Sequence, residues 1–228
     1  MPDRVNTRGY RSQLRDEQAG QTRKAILAAA RRLFTERGYA ATTIAQIAAE
    51  AGVAIDTVYA AVGAKPVLFA LLLETAISGT DQPVPAEERD YVRRIRAQPR
   101  ARQKIETYAA AVRTISERLG PLHLVLRDAA AQSPDLARIR DHIATRRAEN
   151  MRLLAQDLIA TGDLRPDLDV DQVADVIWSM NSAEFYHLLV AERGWSSERF
   201  EQWLADTWCR LFLADPAVEI SVDVVRHE

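Results

Sequence analysis

The sequence predicts an all-α chain: a small N-terminal unit of three helices, followed by a larger helical body, about nine to ten helices in all. Three observations carry this. Alanine occurs 37 times and glycine 9 times, a ratio that favours helix over strand. Apolar residues recur at helical spacing in one segment after another, whereas period-two alternation is confined to Val218–Val225. Glycine and proline fall between those segments and punctuate them.

Residues 1–20 carry Arg4, Arg8, Arg11 and Arg15 without an apolar stripe, and are read as a flexible arm with one helical turn near Arg11–Gln18. A helix begins at Gln21. Ile26, Leu27, Ala30, Leu33 and Phe34 lie on its inner face, and Gly38 ends it. Thr42 is placed to cap a short helix over Thr43–Ala51, with Ile44, Ile47 and Ala48 inward and Gly52 closing it. A third helix spans Ile55–Val62. Pro66 opens a fourth, Val67–Ile77, because proline's fixed φ suits the first helical turn.

Ser78–Ala86 is the clearest break. Beyond it the pattern gives helices over Glu87–Gln98, Arg100–Leu119, Leu122–Gln132, Pro134–Ala160, Asp169–Ala191 and Ser197–Leu213, separated by Pro99, Gly120-Pro121, Ser133-Pro134, Gly162 to Pro166 and Gly194. The organisation is thus an arm (1–20), a helix-turn-helix domain (21–65), a helical body (66–214) and a tail (215–228) that is frayed or a short strand.

Composition excludes several classes. Hydrophobic residues make up 47% and charged residues 27%, which is not a disordered chain. One cysteine permits neither an intramolecular disulfide nor a Cys-rich zinc site. No apolar run approaches the ~20 residues of a membrane span, and the charged N-terminus lacks a signal core, so a cytoplasmic protein without membrane contact is expected. The net charge of −2 hides a division. Residues 1–65 hold 10 Lys+Arg and 6 Asp+Glu, net +4; residues 66–228 hold 20 and 26, net −6. One basic end on an acidic body suits a polyanionic partner for that end alone.

Thr43 to Val58 carries the most specific pattern. Ala48 is small where one helix crosses another, Gly52 can take the left-handed turn, and Ile47, Val53 and Val58 fill the wedge between the helices. From Arg23 to Phe69 the chain resembles the tetracycline-repressor (TetR-like) family of bacterial transcription regulators. The matching residues are Ile26, Ala29-Ala30, Leu33-Phe34, Gly38-Tyr39, Thr42-Thr43-Ile44, Ile47-Ala48, Ala51-Gly52-Val53, Thr57-Val58-Tyr59, Lys65 and Leu68-Phe69. It departs from the family after Tyr59, where Ala60-Ala61-Val62 replaces the usual His-Phe ending, and at Ala54 and Asp56.

The resemblance implies a homodimeric regulator, most readily a repressor, that binds a pseudo-palindromic double-stranded operator and is released by a small-molecule effector. A recognition helix presents its first residues to base edges. These are Ala54, Ile55, Asp56 and Thr57, with Ala60 on the same side; Ala54 and Ile55 suit thymine methyls and Asp56 a cytosine amino group. Thr43, Thr57, Tyr59 and Lys65 suit phosphates.

In the body, polar residues interrupt apolar faces: Arg147 and Asn150 on one helix, Asn181 and Glu184 beside Trp178 and Phe185 on another, and His123 and Arg127 one turn apart on a third. Such groups are paired or line a cavity. With Tyr108 they form the candidate effector set, for an apolar or aromatic compound. His123 has no second histidine or cysteine at ligand spacing, so no metal or other cofactor is expected. The last helix is apolar on two sides, which the resemblance assigns to a dimer interface; Ala205, Trp208, Cys209 and Phe212 are its candidates. No catalytic motif is present, so the chain is not expected to be an enzyme. The alternatives are an all-α enzyme, or a dimeric interaction protein with a vestigial helix-turn-helix.

Overall fold

The computed structural model describes the backbone of residues 7–214 and the side chains from Glu17 onward. The 215–228 tail and Arg4 lie outside the described residues. Among the described residues there are ten α-helices, one 3-10 turn and one π turn, and the β-structure is a single bridge, Leu164 to Leu213. Contacts divide the chain into two units: residues 1–83 with 121–140, and residues 84–120 with 141–228.

In the first unit, α1 (Thr7–Ala41) starts well before the expected Gln21. The arm is therefore helical from Thr7, because its Arg, Gln and Glu residues are good helix formers that outweigh Gly9 and Gly20. Gly38 interrupts α1 at φ 80°, as its glycine signal predicts. α2 (Ile44–Ala51) is capped by Thr43, one residue later than the pattern indicates. Thr42 instead turns inward, fully buried, and its hydroxyl donates to the carbonyls of Leu33 (3.1 Å) and Gly38 (2.9 Å). Gly52 closes α2 at φ 68°, and α3 (Ile55–Val62) follows, bent 100° from α2. α4 (Lys65–Ser78) has proline in its first turn. Ile26, Leu33, Phe34, Ile47, Val58, Leu68 and Phe69 are 0–2% exposed and make one core.

In the second unit, a 3-10 turn (Ala86–Glu88) leads into α5 (Asp90–Ala97). The expected break at Gly120-Pro121 does not occur. α6 runs unbroken from Ala101 to Ala130, passing from the second unit into the first at Pro121. Proline removes one helical hydrogen bond there, but Leu122 and Leu126 beyond it are buried, and that burial holds the helix. α7 (Pro134–Ile159) matches its expected span.

The expected helix over Asp169–Ala191 is broken. α8 (Val170–Met180) ends at Asn181, and α9 (Ala183–His187) starts afresh with Ser182 accepting from the Phe185 amide. Ser182 competes with the helical hydrogen bonds by capping α9, while the Asn181 side chain is drawn away to Tyr108 and Met151. A π turn (Leu188–Glu192) follows, then α10 (Ser197–Phe212). No single helix among the described residues is long and apolar enough to cross a membrane.

Candidate functional site

The first unit offers one exposed face built around α2 and α3. Thr43 forms a capping box with Gln46: its hydroxyl accepts from the Gln46 amide (3.2 Å), and Gln46 Oε1 accepts from the Thr43 amide (2.8 Å). This fixes the start of α2 with its remaining N–H groups outward. Ala54, Ile55, Asp56, Tyr59 and Ala60 are exposed on α3, Ile55 at 46% and Tyr59 at 51%. With Val67 on α4 at 58%, Ile55 and Tyr59 are, among the described residues, the large apolar side chains that this unit leaves in solvent. Thr57 is half-buried. Lys65 lies 4.1 Å over the Tyr39 ring, and burial lowers its pKa. Thr43, Ile55, Tyr59 and Lys65 line one shallow groove. All eight residues singled out by sequence are thus on or beside this face.

Two supports were not legible beforehand. Arg23 on α1 donates to the Ala61 carbonyl at 2.8 Å, holding the far end of α3. Arg32 pairs with Glu50, tying α1 to α2. Both are long-range, and only the excess of arginine on α1 hints at them. Thr43→Ala is expected to cost about 1 kcal/mol of stability, measured by urea denaturation, because it removes the cap.

The second unit contains a cavity of about 100 Å³. Tyr91, Ile95, Tyr108, Met151 and Leu154 form its apolar wall, with Asn150 and Asp157 on α7 and Glu87 and Arg96 contributing polar groups. Behind Tyr108 and Met151 lies a polar cluster. Asn181 Nδ2 donates to Tyr108 Oη at 2.6 Å and to Met151 Sδ at 2.9 Å; Tyr108 Oη donates to the same sulfur at 3.1 Å. Burial pushes the Tyr108 phenol well above its usual range. One turn before Met151, the Arg147 guanidinium sits 4.5 Å over the Trp178 ring, its pKa lowered by burial and partly restored by Tyr108 and Glu184.

The remaining candidates go elsewhere. Phe185 packs on Phe200 and Trp203. Glu184 is exposed. His123 and Arg127 belong to the first unit, and Arg127 is exposed and paired with Asp128 at 3.0 Å. They are therefore not part of the second unit's cluster. The wall residues missed include Tyr91, Ile95, Met151 and Leu154, and the polar Glu87, Arg96 and Asp157. Met151 could have been found, since it lies one helical turn from Arg147 on the same face.

The dimer candidates on α10 need correcting. Trp208, Cys209 and Phe212 are 1–6% exposed and buried in the chain's own core, where Trp208 stacks on Tyr108 at 5.7 Å. At 100° per residue, Phe200, Leu204, Trp208, Cys209 and Phe212 form one inward stripe rather than two separate faces. Burial also raises the Cys209 thiol pKa. Ala205 is half-buried, the outer side carries Gln202, Asp206 and Arg210, and Leu211 is exposed at the end of the helix.

Residues 26–70 match the model of bacterial regulatory proteins of the tetR family. The N-terminal domain is a tetR-family domain. No curated protein matches the sequence. Among solved structures, the chain is similar to NalD of Pseudomonas aeruginosa, the secondary repressor of the MexAB-OprM multidrug efflux pump. The TM-score is 0.68 at 22% identity, covering 87% of this chain and 99% of that one. It is also similar to a protein of Saccharomonospora viridis assigned as a transcriptional regulator, solved in complex with choline. There the TM-score is 0.65 at 20% identity, covering 85% and 98%. The SmeT–triclosan complex gives a TM-score of 0.61 at 20% identity, covering 86% and 93%. At these identities the likeness shows the fold alone, and it extends over 85–87% of this chain, well beyond the tetR-family domain.

Proposed function

We propose that the chain is a cytoplasmic, ligand-responsive transcriptional repressor that binds a pseudo-palindromic operator as a homodimer. The observation that carries this reading is the exposed face of α3 in a tetR-family domain, where Ile55 and Tyr59 stand in solvent beside the capped start of α2. A helix of this kind enters the major groove with its first residues against base edges. Ala54 and Ile55 contact thymine methyls, and Asp56 accepts from a cytosine amino group. The α2 N–H groups, Thr43, Thr57, Tyr59 and Lys65 hold the flanking phosphates.

Two recognition helices from one chain each read half-sites one turn of DNA apart, so a second copy is required. Leu153 at 58%, Leu188 at 50% and Leu211 at 41% exposure are the large apolar groups of the second unit available to meet it. The effector enters the Tyr108–Met151 cavity. The neighbours described with choline and triclosan support a small-molecule effector of this kind. α6 and α7 each run from one unit into the other, and they are the elements through which an effector shifts the population between operator-binding and released states.

The test is a gel-shift titration of the purified protein against the DNA upstream of its own gene, at several salt concentrations. Specific binding with a slope of about −0.9 per phosphate contact is expected, and Lys65→Gln should make that slope shallower by about 1. Binding that is independent of salt, or absent from every genomic fragment, overturns the reading.

A further inference from the structure

Next to the cavity lining, in contact with Tyr108 and Met151 but outside the wall itself, lies a cluster in which buried polar atoms lack partners. Arg147 Nε, Trp178 Nε1 and Asn181 Oδ1 are buried, and none has a hydrogen-bond partner within the protein. Arg147 makes no ion pair among the described residues. Its packing partner is the face of Trp178, which leaves the buried Nε–H without an acceptor. A buried N–H without an acceptor is costly, and the half-buried Arg147 holds one such donor toward the protein interior.

The arrangement is periodic. Arg147 and Met151 are one turn apart on α7; Trp178 in the last turn of α8 and Asn181 at its C-terminal cap are likewise one turn apart. The two stripes face each other, with Arg147 against Trp178 and Met151 against Asn181. Tyr108 and Met151 belong to both the cluster and the cavity wall, so the guanidinium lies one turn behind the apolar lining.

From these observations we propose that the effector is a small organic anion: a carboxylate on an apolar or aromatic body, held by Arg147 with Trp178 Nε1 as a second donor. This rests on the effector reading above and names the chemistry of its site. The body fills the wall of Tyr91, Ile95 and Leu154. The cavity of about 100 Å³ is smaller than the ~150 Å³ that takes a benzene ring, so Met151 swings aside to admit one. Its sulfur is a weak acceptor, and losing the Tyr108 and Asn181 contacts to it costs little.

The surrounding charges agree. Asp157 on the cavity wall is already spent on Lys104 at 2.8 Å. Glu87 and Arg96 at the mouth are both exposed and opposite in sign. Glu184 acts on Arg147 electrostatically but is exposed, so water screens it. Among the described residues the buried charged side chains are Arg89 and Lys104, both cationic, and none is a carboxylate.

The test is isothermal titration calorimetry on the full-length protein with benzoate, its neutral isostere benzamide and the cation benzylamine. Benzoate should bind, benzamide should bind about tenfold or more weakly, and benzylamine not at all, because a charge-assisted bidentate contact is lost in turn. Arg147→Gln should abolish the preference for benzoate over benzamide, and Arg147→Lys should retain part of it. That ratio is insensitive to a general loss of stability, which circular dichroism of each variant monitors separately. Benzamide or benzylamine binding as tightly as benzoate overturns the anion assignment and leaves the cavity as an effector site. A benzoate preference untouched by Arg147→Gln overturns the role of Arg147. Binding by none of the three removes both the assignment and the cavity reading.

Discussion

Phe34→Ala should lose about 3–5 kcal/mol of stability, enough to unfold the helix-turn-helix domain at 37 °C. Phe34 is fully buried on α1, its ring edge-on to Phe69 at 5.1 Å and stacked with Tyr39 at 5.5 Å. Those three rings close the core under α2 and α3, each only eight residues long. Helices that short are not stable alone, so their existence depends on this packing. Removing the ring leaves a void the short helices cannot collapse to fill. The measurement is urea denaturation followed by circular dichroism, beside a gel shift. A drop in the midpoint with little change in slope and a parallel loss of operator binding is expected; a loss under about 1 kcal/mol would contradict the packing argument.

The second large effect is expected at Asp157. Lys104 is buried on α6, and its Nζ donates to Asp157 at 2.8 Å and to the Ile95 carbonyl at 3.0 Å. Asp157→Ala strands a buried ammonium with one carbonyl. The penalty for breaking such a pair is about 3–5 kcal/mol, and the lower end is expected because the Asp157 side chain is 36% exposed and already partly screened. Lys104→Met should behave in the opposite way. It removes the charge and keeps the volume, Asp157 returns to water, and the Ile95 carbonyl still accepts from the Gln98 amide at 3.1 Å. That variant should lie within about 1 kcal/mol of wild type in the same denaturation series. Equal destabilisation by both would mean that shape, not charge, governs the site.

The ease of reading differed sharply between the two halves of the chain, and the reason is the range of the interactions involved. Gly52, Thr43, Ile47 and Val58 act within about fifteen residues of one another, so their spacing alone specifies two capped helices crossing at a glycine. Gly120-Pro121 carries the local signature of a break, yet Leu122 and Leu126 are buried and the helix continues. Conversely, Asn181-Ser182 lies inside a sustained apolar pattern, and the Asn181 amide is drawn 73 residues back to Tyr108. No local pattern encodes either outcome. Arg147, Asn181 and Trp178 were recognisable one at a time as polar atoms on apolar faces, but not as one cluster. The α10 stripe was misjudged because a helix buried over a wide arc looks, in a sequence, like one with two separate partners.

The placement of the tryptophans has an optical consequence. Trp178, Trp195, Trp203 and Trp208 all lie in the second unit, and the sequence has no others. Emission excited in the indole band therefore reports on that unit alone, while the tetR-family domain is visible only through Tyr39, Tyr59 and its helical backbone signal. Trp208 stacked on Tyr108, 15° from parallel, is a short-range acceptor for energy absorbed by that phenol, and Trp178 lies under a guanidinium. Melting curves recorded by indole emission and by helical ellipticity thus follow different parts of the molecule. Whether they coincide tells directly if the two units unfold as one cooperative body or in succession.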